Sequence, residues 1–400
     1  MQQGPDAAVI AARHGDHFFS LAKQARSGLQ GAQQAHWVER VEADLDNLRA
    51  AMARARDSGD NGSGDPHLAA KLPVALQGFW VLRGYLSEAR EHIRAALALP
   101  AIQASDTARA HTLYVGAVLA DAQGDPAHAG QLLETCLALR RALQAPRDIA
   151  TTLSTLAMAR LATGQAEAAL AAEQESLALF RGIGYRVGEA IGLQHLGHIH
   201  LWLRQGGQAE ASLREGLALA LTLKHLEVAC ECELLLGECA LAQGDLGPAR
   251  TQLQRSLQRS RDAGDRRDEA KALAALGRLA LAQQDRAAAQ PLMAQALTAF
   301  QRFEMRAELI AGVEDHALLA HDLGQHEAAA CWLAAATQAR RTLGLPRAPA
   351  VQARCLALRE SLQRALGDWG WSVAEAAGAA STLGDAVQAA LLLEVVGVQA

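Results

Sequence analysis

Alanine returns along this chain at a fixed step of 40 residues, at Ala89, Ala129, Ala169, Ala209, Ala249, Ala289 and Ala329. Eight residues after the first six of these stand Leu97, Leu137, Leu177, Leu217, Leu257 and Leu297. A third series, seven after the alanine, holds Ala96, Cys136, Ser176, Gly216, Ser256, Ala296 and Ala336, all of them small. Ladders that keep one phase mark an internal repeat. A period near 40 with helical texture predicts helical hairpins stacked side by side, none with a core of its own. No alternating stretch of useful length predicts a strand.

Each repeat has two amphipathic stretches parted by a short breaker: Gly124-Asp125, Gly164-Gln165, Gly207-Gln208, Gly244-Asp245 and Gly324-Gln325, with Gln284-Asp285 as the exception. Glycine ends one helix in a left-handed cap and a following Asp can cap the next. The breaker at Gly207 is out of step, 43 after Gly164 and 37 before Gly244. It predicts a first helix lengthened by about one turn near Trp202–Gln205 and a second helix shortened to match. The first stretches carry Leu196-Gly197, Leu236-Gly237 and Leu276-Gly277, with Ala117, Ala157 and Ala317 at the glycine position elsewhere. A small residue there lets the two helices of a hairpin approach.

The pattern predicts an all-α chain of about seven hairpins over residues 67–344, with a helical cap at each end. Residues 1–58 form the first cap, with helices near Ala7–Arg26 and Gln33–Arg56, the latter carrying the stripe Trp37, Val41, Leu45, Leu48 and Met52. A mobile linker is expected at 59–66, inside the Gly- and Asp-rich run that begins at Asp57. Residues 345–400 form the second cap: a helix to about Leu366, then Trp369, Trp371, Leu383 and Val387 closing the open end.

Leu-Gly in the first helix, alanine twelve residues later and a small residue seven beyond that resemble the tetratricopeptide repeat (TPR). The resemblance implies a right-handed α-α superhelical solenoid that binds proteins or peptides. The unit here is longer than the family's, and most of its aromatic and proline positions are missing. A narrower likeness lies at the ends: the segment His36–Ala51, Glu88–Leu97 and the stretch from Trp371 to Leu391 resemble the repeat region of bacterial STAND-type ATPase regulators. That implies a sensing region whose ATPase or DNA-binding module is encoded elsewhere, because no G-x-x-x-x-G-K-[ST] occurs in this chain. A free-standing scaffold that assembles protein partners is the alternative.

Composition narrows this further. Half the residues are apolar but only 4% aromatic, so the hydrophobic mass is alanine and leucine, both strong helix formers. A formal net charge of −5 gives no field for direct nucleic-acid binding. The basic stretch Arg255–Arg267 is offset by Asp262, Asp265, Asp268 and Glu269. Cys136, Cys230, Cys232, Cys239, Cys331 and Cys355 form no C-x-x-C pair, so reduced thiols are expected rather than a zinc site or disulfides. With no signal-like start and no long apolar run, the chain is expected to be cytoplasmic, without a membrane segment.

Candidate chemistry is sparse. Gly182–Gly188 sits between hairpins with no strand before it, which argues against a phosphate cradle. His195 and His198 share a helix face but lack a third ligand, so His198 is read as lining a groove. Glu231, Glu233 and Glu238 cluster, as helix carboxylates commonly do. No cofactor, metal or catalytic residue is expected. The TPR resemblance puts the first helices on the concave side, with residues one after and three before the glycine position facing inward. The groove then takes Tyr114, Met158, Gln194, His198, Trp202, Glu238, Arg278 and Glu314. It runs from apolar to charged and suits a peptide or amphipathic helix. Glu238 with Arg278, and Glu231 with Lys271, are expected to pair with each other across one repeat.

Overall fold

Every 20 residues from Gly124 to Gly344 one backbone position turns left-handed: Gly124, Gln144, Gly164, Gly184, Arg204, Lys224, Gly244, Gly264, Gln284, Glu304, Gly324 and Gly344. The following amide donates to the carbonyl five residues back, as Asp125 does to Ala120, Gln205 to His200 and Leu345 to Arg340. This is the Schellman closure of a helix, repeated at each turn. The chain is therefore an array of helices on a 20-residue beat, and two beats make the 40-residue repeat. In this computed structural model the described residues are 5–29, 34–61, 65 and 67–393. They contain 21 helices and no strand.

Two compact units are distinguished, Met1–Leu156 and Ala157–Ala400. The first holds α1 (Pro5–Gly28), α2 (Gln34–Ala43), α3 (Leu45–Asn61), α4 (Leu68–Ala75), α5 (Gln77–Arg83), α6 (Leu86–Ala98), α7 (Pro100–Gln103), α8 (Asp106–Ala122) and α9 (Pro126–Ala142). The helix expected over Gln33–Arg56 is broken at Asp44 into α2 and α3, yet Val41, Leu45, Leu48 and Met52 keep to one buried stripe. α3 continues to Asn61, into the run read as a linker; residues 62–64 and 66 lie outside the described residues. The first hairpin's leading helix is split at Leu76 into α4 and α5, and Phe79 and Trp80 fill the core there at 0% exposure.

α10 (Pro146–Ala162) spans the boundary, and the second unit continues with α11 (Ala166–Gly182), α12 (Arg186–Trp202), α13 (Gly206–Thr222), α14 (Leu226–Gln243), α15 (Leu246–Ala263), α16 (Arg266–Ala282), α17 (Arg286–Arg302), α18 (Arg306–Asp322), α19 (His326–Leu343), α20 (Pro349–Ala380) and α21 (Leu383–Leu391). From α11 to α20 consecutive helices pack pairwise, and α12, α14, α16 and α18 also touch in series. This is a TPR-like stack of α-α hairpins. The lengthened helix expected before Gly207 is not formed. α12 and α13 are each 17 residues, because Arg204 takes the left-handed position at φ 60° and Gly206-Gly207 open α13.

All seven alanines of the 40-residue ladder are 0% exposed. Their reason is steric: each sits where two helices of a hairpin come closest. The glycine position opposite is tighter still, since a Cβ on Gly237 would lie 2.5 Å from Leu253 Cδ2 and one on Gly277 2.4 Å from Met293 Cγ. At the far end α20 is kinked at Gly367 (φ 68°, ψ 170°), so its second half folds against α19, where Gly378 would place a Cβ 2.1 Å from the Cys331 carbonyl oxygen. α21 packs on α17, α18 and α19. Trp371 and Val387 join that core, but Trp369, expected in it, is 81% exposed.

Candidate functional site

In the second unit the first helices of successive hairpins present a recessed row that is partly open to solvent. It comprises Ile191 and His198 on α12, Glu231 and Glu238 on α14, Lys271 and Arg278 on α16, and Ala311 and Leu318 on α18. These are the residues six before and one after the glycine position. Residues three before it turn inside instead: Gln194, Leu234 and Ala274 are buried, and Glu314 is 1% exposed. The pitch explains the correction. Seven residues return to within about 20° of the same helix face, whereas four overshoot it by about 40°, toward the neighbouring hairpin.

Glu314 consequently belongs to the core. Its carboxylate accepts two bonds from Arg340 at 2.7 and 2.9 Å and a third from Arg347 Nε at 2.7 Å. Tyr114 lies in the first unit, where its hydroxyl meets Thr155 Oγ1 at 3.2 Å and its ring carries the Arg140 guanidinium at 4.6 Å. Met158 is half-buried on α10. Tyr114 is thus engaged within its own unit, while His198, Glu238 and Arg278 share the row of the second unit and Trp202 lies one turn beyond His198 on α12.

Charge in that row is paired from repeat to repeat. Lys271 Nζ reaches Glu231 at 3.3 Å and Asp268 at 3.0 Å. Arg278 donates to Glu238 and to Asp315 at 3.1 Å, and Asp315 in turn accepts from Arg354 at 2.8 Å. Asp315 and Arg354 were not singled out from the sequence, because Asp315 stands 37 residues after Arg278 and so falls outside the 40-residue step. Burial pushes the Glu231 carboxyl up, partly countered by Lys271. Burial opposes the charge of Lys271, but Glu231 and Asp268 outweigh it and hold the amine well above its ordinary range. Glu233, third of the acidic cluster, points away and clasps Arg259 at 2.9 Å through both oxygens.

His198 differs from its neighbours. Among the described residues it has no hydrogen-bond partner, and burial, with help from His195 and Lys271, pushes its pKa down to about 4. At neutral pH the ring is uncharged, with one nitrogen able to donate and the other to accept. Trp202 follows one turn later at the end of α12, its indole half-exposed. His195 is bound to Glu173 at 3.3 Å and His200 to Gln205 at 2.6 Å, and no group of three metal-ligating side chains occurs among the described residues. The thiols of Cys230 and Cys232 are driven up to about 12 by burial, which leaves them unreactive.

The row thus combines partly open, mutually paired side chains with one unsatisfied imidazole. No family model matches the chain, and no curated protein matches it by sequence. Its fold is shared with solved structures. A Rap protein complexed with competence and sporulation factor aligns over 90% of this chain and 99% of its own, with a TM-score of 0.57 at 12% identity. NprR in complex with its cognate peptide NprX covers 76% and 82%, with a TM-score of 0.54 at 11% identity. The Rap conjugation gene regulator of the plasmid pLS20, in complex with the Phr* peptide, covers 89% and 98%, with a TM-score of 0.53 at 12% identity. The likeness is one of TPR-like helical architecture. No helix among the described residues is long and apolar enough to cross a membrane.

Proposed function

We propose that this chain is a non-catalytic TPR-like binding protein that takes a peptide segment along the recessed row of its second unit. The observation that carries the reading is His198, a neutral and unpartnered imidazole near Lys271 and one helical turn before Trp202. An extended or helical peptide supplies the missing hydrogen bond to the ring and apolar cover for the indole. Glu231 and Glu238 are held by Lys271 and Arg278, so they orient a ligand rather than move protons. The peptide complexes of the similarly folded proteins support this use of the architecture.

The test is a phage-displayed library of linear heptapeptides panned on the full chain. Enriched peptides should lose about tenfold in affinity with His198→Ala or Trp202→Ala, roughly one hydrogen bond or one aromatic contact. They should be indifferent to Leu143→Ala, an exposed position in the first unit. Peptides insensitive to both groove substitutions would refute the assignment.

The resemblance of His36–Ala51 to STAND-type regulators supports a finer reading, in which the chain is the sensing region for an ATPase or DNA-binding module encoded elsewhere. Adding the chain and its peptide to a separately expressed ATPase module of that class should then change the rate of ATP hydrolysis. An unchanged rate leaves the free-standing scaffold as the better account.

A further inference from the structure

The turn between α18 and α19 carries two histidines that break the repeat. Just before the corresponding turn, the four preceding hairpins hold Leu161, Leu201, Leu241 and Leu281; here stands His321. Five residues on, where those hairpins hold Ala166, Gly206, Leu246 and Arg286, stands His326. Leucine at the first position serves packing, since Leu161 is buried and Leu201, Leu241 and Leu281 lie against the core. One hairpin gives up that contact and sets a second imidazole across the turn. The turn is held by its own backbone: Gly324 is left-handed at φ 78°, its amide donates to the His321 carbonyl at 3.0 Å, and the Gln325 amide donates to Ala320 at 2.8 Å. The two Nδ1 atoms then lie 3.1 Å apart. With the ring centroids 5.0 Å apart and the planes tilted by 47°, the rings meet at an angle rather than end to end. On its other side His321 Nε2 lies 3.0 Å from Ser361 Oγ on α20.

Two imidazole nitrogens this close share either a proton or an ion. Ligand atoms about 2.0–2.1 Å from one metal stand about 2.9 Å apart at a right angle and about 3.4 Å apart at the tetrahedral angle. The 3.1 Å between the Nδ1 atoms falls within that span. With its hydrogen on Nε2, donated to Ser361, His321 keeps a lone pair on Nδ1, and a partner on the far nitrogen is what orients a metal-bound histidine. We infer that His321 and His326 chelate a divalent ion of the copper, nickel and zinc class through their Nδ1 atoms, with Ser361 positioning His321. His326 then carries its hydrogen on Nε2, so the neutral pair loses no proton. No third His, Cys, Asp or Glu completes the set among the described residues, and water fills the remaining positions. Both histidines are half-buried, which leaves the pair within reach of solvent. The bound ion ties the end of α18 to the start of α19 and, through Ser361, to α20.

The experiment dialyses the full chain, free of any affinity tag, against Cu²⁺, Ni²⁺, Zn²⁺ and Mg²⁺ in turn. The tightest site should take one Cu²⁺ per chain at micromolar concentration, bind Ni²⁺ and Zn²⁺ more weakly and ignore Mg²⁺, the order that imidazole ligands impose. The electron paramagnetic resonance spectrum of the copper form should show coupling to two nitrogens. His321→Leu and His326→Arg each restore a residue that other hairpins carry at that position, so both variants should keep the helical circular dichroism of the parent. Each should weaken Cu²⁺ binding at least tenfold, and Ser361→Ala should weaken it about tenfold while both nitrogen couplings remain. His195→Ala, which removes one of the two histidines sharing a face of α12, should leave the affinity as it was. Copper binding unchanged in His321→Leu and His326→Arg, or lost as fully in His195→Ala, overturns the assignment.

Discussion

Replacing Gly237 by alanine tests whether the stack rests on close helix approach. In an open helix this change stabilises by about 1 kcal/mol, because alanine restricts the unfolded chain and favours the helix. Here the new Cβ would stand 2.5 and 2.6 Å from Leu253 Cδ2 and Cγ and 3.3 Å from the Leu253 amide nitrogen. Leu253 is 0% exposed, so its side chain has no free space to enter. Either the leucine leaves its rotamer or α15 shifts off α14, and overpacking of this kind costs about 1–3 kcal/mol. The sign should therefore reverse, with a net loss near 1 kcal/mol. Urea unfolding of the full chain, with hydrogen exchange over Leu226–Ala263 as the local readout, measures it. The double variant with Leu253→Ala should recover the penalty as a coupling energy of about 1–3 kcal/mol. A stabilised Gly237→Ala, or strictly additive single variants, would refute the close-approach argument.

Glu314→Ala should cost about 3–5 kcal/mol, because it strands two buried guanidiniums, and a melting temperature within a degree or two of the parent would contradict the core role given to this residue. Arg204 holds φ 60° and Gly244 φ 84° with nothing within 4 Å of a Cβ there, so the backbone alone sets the energy. Arg204→Gly should stabilise by about 0.5–1 kcal/mol and Gly244→Ala should destabilise by about 1, both read from denaturant midpoints. His198 titrates near 4 when folded and near its ordinary 6.5 when unfolded, so the unfolded chain binds the extra proton. Stability from this group is complete above about pH 6.5 and is lost on acidification toward pH 4. The loss is at most about 3 kcal/mol and nearer 1–2 for a ring partly open to solvent. His198→Gln should flatten that part of the pH–melting profile, and an unaltered profile would show that the ring is solvated.

The repeat, its phase and the pairing of Glu238 with Arg278 and Glu231 with Lys271 were legible in the residues alone, because a steric ladder admits only small side chains and equal spacing brings equal positions together. Glycine was a poorer guide to the turns. Five of the left-handed positions hold Gln144, Arg204, Lys224, Gln284 and Glu304, and the beat of 20 survives because the Schellman bonds and the packing on either side outweigh about 1 kcal/mol of backbone strain. The breaker at Gly207 therefore misplaced a helix end that the tertiary stack had already fixed. Helical periodicity put His198, Glu238 and Arg278 on one face, where they are partly open to solvent, but assigned Gln194 and Glu314 to it as well, since a 40° rotation about the helix is invisible until the neighbouring hairpin is in place. Sequence thus determined which residues repeat; only the packing of one hairpin on the next decided which of them remain open to a ligand, because accessibility belongs to the pair of helices and not to either one.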